Sequence, residues 1–291
     1  MLFILYHYIR IIERMAEKYS CVIHQKKVYY WTYHKIKKPV IVAIHGFRGT
    51  HHGLEFIARH VTKAQIIIPD LPGFGESEPL QKHDLASYSS WLVAFIAQLN
   101  LPEPPIILGH SFGSLIVGQA LAEKKIIVQK AIFINPISYH NSTIQNTLGQ
   151  LGASIVYAAS RRLPEKVARK ILSSALLTDG MSYLLTISRE PKIRRRIIDQ
   201  HRQYFGRYHT SHHVVEAYKT SVAHHLIAYA PHIQTASLLI AGQKDSIVPP
   251  HTQIKLHKRL PHSNLHIIDD VGHLIHYEKP HIAAKLIDDF V

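Results

Sequence analysis

Ser111 lies in the run Gly109-His110-Ser111-Phe112-Gly113, directly after the apolar stretch Ile106-Ile107-Leu108 and ahead of a helical pattern. A serine hydroxyl is a weak nucleophile at neutral pH and needs a base to accept its proton and a carboxylate to hold that base. A Gly-x-Ser-x-Gly run between a strand and a helix forces the serine into a sharp, strained turn. Side chains two residues either side would collide there, so Gly109 and Gly113 let the hydroxyl project above the sheet. A base and an acid follow at the ends of later apolar runs, Asp245 after Leu238–Ala241 and His273 after Leu265–Ile268. Ser111, Asp245 and His273 together would carry nucleophilic acyl transfer.

His273 must be distinguished from the other histidines of a chain that has 24. Gly272 before it frees the backbone for a turn, and the preceding apolar strand carries the imidazole to the carboxyl edge of the sheet, where ligands bind in open α/β folds. Asp269 and Asp270 are alternatives to Asp245, but they stand so close to His273 that a shared turn suits them better than a facing strand end. Asn135 follows the strand that ends at Ile134, so no acid is available at that neighbouring position. The tetrahedral intermediate needs donors already in place, each worth about 2.7–4 kcal/mol. The N–H of Phe112, just after the nucleophile, and the N–H of Phe47, in the loop after Val40–Ile44, are the expected pair. His45, Gly46 and His110 flank these donors and are read as substrate-contacting positions.

Short apolar runs alternate with helical patterns along most of the chain, the signature of a mostly parallel sheet covered by helices on both faces. Cys21–Gln25 and Val28–Tyr33 read as a hairpin around Lys26 and Lys27. Val40–Ile44, Ile66–Ile68, Ile106–Leu108, Ile127–Ile134, Leu238–Ala241 and Leu265–Ile268 read as buried strands. Helical stretches are expected near Gly53–His60, Leu85–Leu99, Phe112–Lys124, Thr252–Leu260 and the C-terminus. Between Pro136 and about Ala236 the strand alternation gives way to helical periodicity, with Pro164 and Pro191 at first-turn positions. The expected organisation is an apolar helix over 1–18, a core formed by 19–136 and 236–291, and a helical insertion over 137–235. Within the insertion, Val167, Ile171 and Leu172, then Val214, Val215, Tyr218 and Val222, fit helix faces that cover something.

A single cysteine, Cys21, excludes an intramolecular disulfide, and a reducing cytoplasm is the default setting. The apolar N-terminal run is interrupted by His7 and Arg10 and falls short of the roughly 17–25 residues of a membrane span. A net charge of +14 is concentrated in the insertion, where 13 Lys and Arg against 5 Asp and Glu between Ile137 and His225 give 13 − 5 = +8. Such a field suits an anionic substrate or peripheral contact with an anionic membrane. The cluster of Lys192, Arg194, Arg195 and Arg196 has no nucleic-acid-binding signature around it, and a solvated helix face is the expected reading. The histidine pairs at 51–52, 212–213 and 224–225 point in different directions on a helix, so neither a metal nor another cofactor is expected.

On His45-Gly46-Phe47, Asp70-Leu71-Pro72-Gly73-Phe74-Gly75-Glu76-Ser77, the Ser111 turn, Asp245 and Gly272-His273, the chain resembles the α/β-hydrolase superfamily, in its branch of cofactor-independent hydrolases with a helical cap. The resemblance implies an eight-stranded sheet, a cap inserted after the sixth strand near Pro136, and a pocket between cap and sheet. Haloalkane dehalogenases and epoxide hydrolases use aspartate where Ser111 stands, and proline iminopeptidases use an acidic cap, so neither matches. The segment Arg48-Gly49-Thr50-His51-His52-Gly53-Leu54 looks like that of bacterial esterase-like hydrolases. Ser114 replaces the second glycine frequent in monoglyceride-lipase-like relatives. The leading expectation is hydrolysis of a small ester or acyl substrate. The alternatives are carbon–carbon bond hydrolysis of an anionic ketone and a non-catalytic binding protein on the same fold.

Overall fold

The computed structural model describes residues 16–35, 37–139 and 148–291. Eight strands form one sheet in the order β1-β2-β4-β3-β5-β6-β7-β8. They are β1 (Glu17–Ile23), β2 (Lys26–Tyr33), β3 (Val40–Ile44), β4 (Gln65–Pro69), β5 (Ile106–His110), β6 (Ala131–Ile134), β7 (Ser237–Gly242) and β8 (Ser263–Ile268). β1 and β2 are antiparallel, β2 pairs antiparallel with β4, and every pairing from β4 to β8 is parallel. Parallel strands need crossover connections, and the helices that supply them cover both faces. Around the sheet stand α1 (His51–Ala58), α2 (Leu85–Gln98), α3 (Phe112–Ala122), α4 (Leu148–Ser160), α5 (Glu165–Leu172), α6 (Ala175–Leu185), α7 (Pro191–Tyr204), α8 (Ser211–Ala223), α9 (Pro250–Arg259), α10 (Ile275–Glu278) and α11 (Pro280–Phe290).

The period-2 alternation of β3 to β7 sorts their apolar side chains to two cores. Val42, Ile44, Ile107 and Phe133 face Trp91, Phe95, Phe112 and Leu115 on one side, whereas Ile41, Ala43, Leu108 and Ile132 face Leu54, Ile57, Ile275 and Ile287 on the other. α3 has no polar face, because it crosses the middle of the first core with ten of its residues buried.

Several sequence-based boundaries shift for physical reasons. The hairpin turns at His24 and Gln25, not at the lysines. Both residues take positive φ (49° and 63°), as a two-residue turn matched to strand twist requires, and Lys26 and Lys27 pair within β2. β6 starts at Ala131, opposite Ile107, and Ile127 lies 80 % exposed in the connection. Residues 17–18, assigned by sequence to an apolar helix, belong to β1, Ala16 precedes that strand, and residues 1–15 of that expectation lie outside the described residues.

Between β6 and β7 the described chain is helical from α4 to α8 and closes with two short 3-10 turns, Leu226–Ala228 and Ala230–His232. Pro191 opens α7, while Pro164 stands one residue ahead of α5 as its N-cap. The expected covering faces are narrower than the sequence pattern. Leu172, Val214 and Val215 are buried, but Val167, Ile171 and Val222 are exposed, and Ala168 takes the inward position on α5. The insertion sits on the core through three kinds of contact. Tyr157, Leu172, Val214 and Val215 join the first apolar core. Ile197 of α7 packs with Leu274 and Tyr277. Main-chain bonds run from Gly75 N–H to Arg207 O at 2.8 Å and from His209 N–H to Gly73 O at 3.1 Å.

Candidate active site

β5 ends in a turn at Ser111, which takes φ 50° and ψ −116° before α3 begins. A positive φ is costly for a residue with a Cβ, about 1–3 kcal/mol, and persists only where the surroundings impose it. They do so here through backbone packing. A Cβ on Gly113 would stand 2.3 Å from the carbonyl oxygen of Ile44, and one on Gly109 would stand 2.8 Å from that of Gly113. The Ser111 N–H bonds Ile134 O at 3.0 Å. Ser114 Oγ donates to Ser111 O at 2.5 Å and accepts from Ile137 N–H at 3.1 Å, tying the turn to the chain that leaves β6. This is a task that a second glycine could not perform.

The structure brings the three sequence-predicted side chains together. The Ser111 hydroxyl donates to His273 Nε2 at 2.9 Å, and His273 Nδ1 donates to Asp245 Oδ2 at 2.8 Å. Asp245 is 3 % exposed. Its other oxygen accepts from the N–H groups of Ile247 and Val248 at 2.8 and 3.0 Å, so the carboxylate is fixed with one oxygen left for the imidazole. Asp269 and Asp270 stay in the β8 turn, the latter pairing with Lys244 at 2.7 Å. Gly272 does not take positive φ, contrary to the expectation of a turn residue. Its reason is space, since a Cβ there would meet Ile187 Cγ1 of the insertion at 2.8 Å.

Asn135, dismissed by sequence as an absent acid, proves to be the strut of the site. It is fully buried, and its side-chain amide donates to Gly272 O at 3.1 Å and His273 O at 2.9 Å. Its side-chain oxygen accepts from Gly242 N–H at 2.8 Å. One amide thereby joins the β6 end, the Asp245 strand and the His273 loop. Asn135 stands at the end of β6, between the strand that leads to Ser111 and the strand that leads to Asp245.

Among the described residues, no acceptor engages the N–H of Phe47 or of Phe112. Phe47 sits in a tight turn closed by Gly49 N–H to Gly46 O at 3.0 Å, and its ring packs edge-on against Phe74, Phe112 and Tyr157. His45 differs from its expected part as a substrate contact. Its Nδ1 donates to Gly46 O and its Nε2 accepts from Leu71 N–H, both at 2.8 Å, so both ring nitrogens are committed to holding the loop. Burial lowers the His45 pKa to about 4, which keeps that ring neutral. Gly46 is needed for contact, because a Cβ there would stand 3.0 Å from His110 Nδ1. His110 lies behind His273, 6 % exposed, with ring centroids 5.6 Å from His273 and 4.3 Å from His276. Burial first, then the neighbouring His273, pulls its pKa down to about 3.

Some basic residues of the insertion are engaged with the fold, while others, Lys166, Lys170, Lys192 and Lys219 among them, are exposed. Arg169, Arg194 and Arg196 donate to the carbonyls of Tyr208, Ser188 and Tyr277. Arg202 forms a two-bond pair with Asp179. A cavity of about 370 Å³ among Ser173, Ala175, Thr178, Arg202 and Gly206 lies within the insertion and includes none of the three site side chains. Among the described residues, no group of three or more His, Cys, Asp or Glu is placed to hold a metal ion. No described helix is long and apolar enough to cross a membrane.

Comparison with known proteins identifies the fold. Residues 39–280 match the family model described as alpha/beta hydrolase fold. The chain is 24 % identical to the uncharacterized hydrolase YugF of Bacillus subtilis over 272 residues, covering 91 % of this chain and 94 % of that one. It is 21 % identical to the mouse sn-1-specific diacylglycerol lipase ABHD11, over 87 % of this chain and 81 % of that one. The solved esterase EaEST from Exiguobacterium antarcticum superposes with a TM-score of 0.76 at 15 % identity, covering 92 % of this chain and 97 % of that one.

Proposed function

The chain belongs to the alpha/beta hydrolase fold family, and from that premise we propose that it is a serine hydrolase that cleaves carboxylic esters through an acyl-enzyme. The observation that carries the reading is the continuous hydrogen-bonded line from Ser111 Oγ through His273 to Asp245, at 2.9 and 2.8 Å. Ser111 Oγ attacks the ester carbonyl carbon while its proton passes to His273 Nε2. The imidazolium that forms is stabilised by Asp245, which keeps its charge throughout. The oxyanion is received by the N–H groups of Phe47 and Phe112, two donors that cost no reorganisation when charge develops.

Collapse of the tetrahedral intermediate breaks the bond to the alcohol, which leaves with the proton from Nε2. Water then loses a proton to the same nitrogen and attacks the acyl carbon, and as the second intermediate collapses that proton passes to Ser111 Oγ, releasing the acid and restoring the hydroxyl. The helices between β6 and β7 act in this reading as the cap that covers the acyl chain. An esterase in the solved neighbour EaEST and a lipase in the mouse relative support ester chemistry over the carbon–carbon alternative.

The test is covalent. A fluorophosphonate is expected to label Ser111 stoichiometrically, and a p-nitrophenyl ester to give a burst of one nitrophenolate per chain. A Ser111→Ala protein that kept full esterase activity would falsify the proposal.

A further inference from the structure

Arg48 follows the expected oxyanion donor Phe47 and is only 2 % exposed, yet among the described residues its guanidinium has neutral partners alone. Nη2 donates to Leu172 O at 2.8 Å and to Phe205 O at 3.0 Å. Nε donates to Phe205 O at 3.2 Å, and Nη1 to the hydroxyl of Tyr157 at 3.2 Å. All three partners belong to the insertion. Leu172 is the last residue of α5 and Phe205 is the C-cap of α7, so two helix C-termini, the negative ends of their dipoles, converge on one cation. They stand where a carboxylate would ordinarily be found, because a buried guanidinium without compensation is strongly unfavourable.

The backbone of Arg48 is equally unusual. Its φ is +58° in the four-residue turn Gly46–Gly49, at the position where glycine or asparagine is normally required. Phe47 occupies the preceding turn position, so the conformation of Arg48 sets the plane of the peptide beside the Phe47 N–H. A long side chain stays in left-handed conformation only where something over-determines it. The contacts that do so here come from α4, α5 and the end of α7, not from the sheet.

We propose that Arg48 is a positioning residue that makes the oxyanion-binding geometry depend on the seating of the insertion. With α5 and α7 docked, their terminal carbonyls hold the guanidinium, the guanidinium holds the strained turn, and the turn presents the Phe47 N–H beside Ser111. With those helices displaced, the cation returns to water and the turn relaxes to conformations without positive φ at Arg48. Direct recognition of a substrate carboxylate is disfavoured by the inventory, since four of the five guanidinium N–H groups already have acceptors. The inference rests on the acyl-transfer reading above.

The informative variant is Arg48→Gly, because glycine tolerates the left-handed turn while deleting the tether. Its rate of Ser111 phosphonylation by a fluorophosphonate, and kcat for p-nitrophenyl acetate, are expected to fall about 10- to 100-fold with KM little changed. Millimolar guanidinium should restore part of the rate, and the same concentration of sodium chloride should not. Arg48→Lys, which keeps a cation but not its fork of donors, should fall between the two. An Arg48→Gly protein that reacts at the wild-type rate, or one whose lost rate guanidinium fails to raise, overturns the proposal. If Arg48→Gly does not fold, Tyr157→Phe decides the matter. Removing the Nη1 acceptor should slow phosphonylation about 2- to 5-fold at unchanged KM, and no slowing overturns the proposal. Wild-type protein that is not labelled at Ser111 at all would instead remove the acyl-transfer reading, and this inference with it.

Discussion

The side-chain amide of Asn135 donates to the main-chain carbonyl of His273 at 2.9 Å while its oxygen accepts from Gly242 N–H at 2.8 Å. The imidazole that must face Ser111 is therefore located by a residue with no chemistry of its own. Gly242 is part of the same joint, since a Cβ on it would stand 2.3 Å from Gly272 O.

Asn135→Asp tests this strut more sharply than Asn135→Ala. A carboxylate would point oxygen at two carbonyl oxygens in a fully buried position, so loss of donors is compounded by repulsion. The expected loss of stability is about 3–5 kcal/mol for the aspartate, as for an uncompensated buried charge. For alanine it is about 1–3 kcal/mol per unpaired group. Denaturant unfolding measures both. The alanine protein, where folded, should lose kcat with little change in KM, because the displaced group is the base and not the binding surface.

Asp245→Asn tests the tautomer. The side-chain oxygen would stay with the N–H groups of Ile247 and Val248, at the positions now 2.8 and 3.0 Å from Asp245 Oδ1, leaving the amide NH2 toward His273 Nδ1. The imidazole would then accept at Nδ1 and carry its proton on Nε2, presenting a donor to Ser111 instead of an acceptor. Ester turnover should drop about 10⁴-fold with the fold intact. Pre-steady-state acylation together with circular dichroism checks both halves. An Asn protein within tenfold of wild-type activity would contradict the assigned roles.

Gly113→Ala should damage the molecule more than Gly109→Ala. The added methyl would face backbone in each case, at 2.3 Å from Ile44 O against 2.8 Å from Gly113 O, and backbone cannot rotate away as a side chain can. Overpacking of this kind typically costs about 1–3 kcal/mol or more. The closer contact lies on β3, just ahead of the loop that bears Phe47. Thermal unfolding is expected to rank wild type, Gly109→Ala, Gly113→Ala in falling order, and the reverse order of the two variants would refute this account of the glycines.

How far the sequence foretells these relationships depends on their range. The strand order of Ser111, Asp245 and His273 was legible because apolar runs and their glycine or proline boundaries are local signals. The mostly parallel α/β architecture follows from the same signals, and the eight-stranded sheet is what the family resemblance implies. The turn at His24 and Gln25 was not legible, because neither is the asparagine, aspartate or glycine that a two-residue turn usually carries, whereas the lysines beside them look like a loop. Asn135 and Arg48 were illegible in their roles for a different reason. Asn135 acts through carbonyls of residues 272 and 273, and Arg48 through carbonyls of residues 172 and 205, and a main-chain acceptor leaves no trace in residue type. His45 looked like a substrate contact because it neighbours the expected oxyanion loop, but its partner Leu71 N–H belongs to a different strand end.

The histidines packed within the fold give the protein a defined acid lability. Burial is the main cause in every case. It takes the pKa of His45 to about 4 and that of His83, His110 and His201 to about 3, and it holds His276 well below the ordinary imidazole value. Unfolded, each titrates near 6.5. The unfolded chain thus binds more protons than the folded one between about pH 6.5 and pH 3–4, so stability is fully present above that window and declines as pH falls through it. Each such imidazole contributes up to about 1.4 kcal/mol per pH unit within the window. The unfolding temperature should therefore drop steeply between pH 6.5 and pH 4.5, before most carboxylates protonate. His276→Phe removes one contributor together with a buried Nδ1 that lacks a partner among the described residues, and should flatten the profile. The measurement is Tm by calorimetry at half-unit pH steps for the two proteins. Parallel profiles would show that His276 takes up its proton as readily in the folded state as in the unfolded one, against the assignment of a ring that burial keeps neutral.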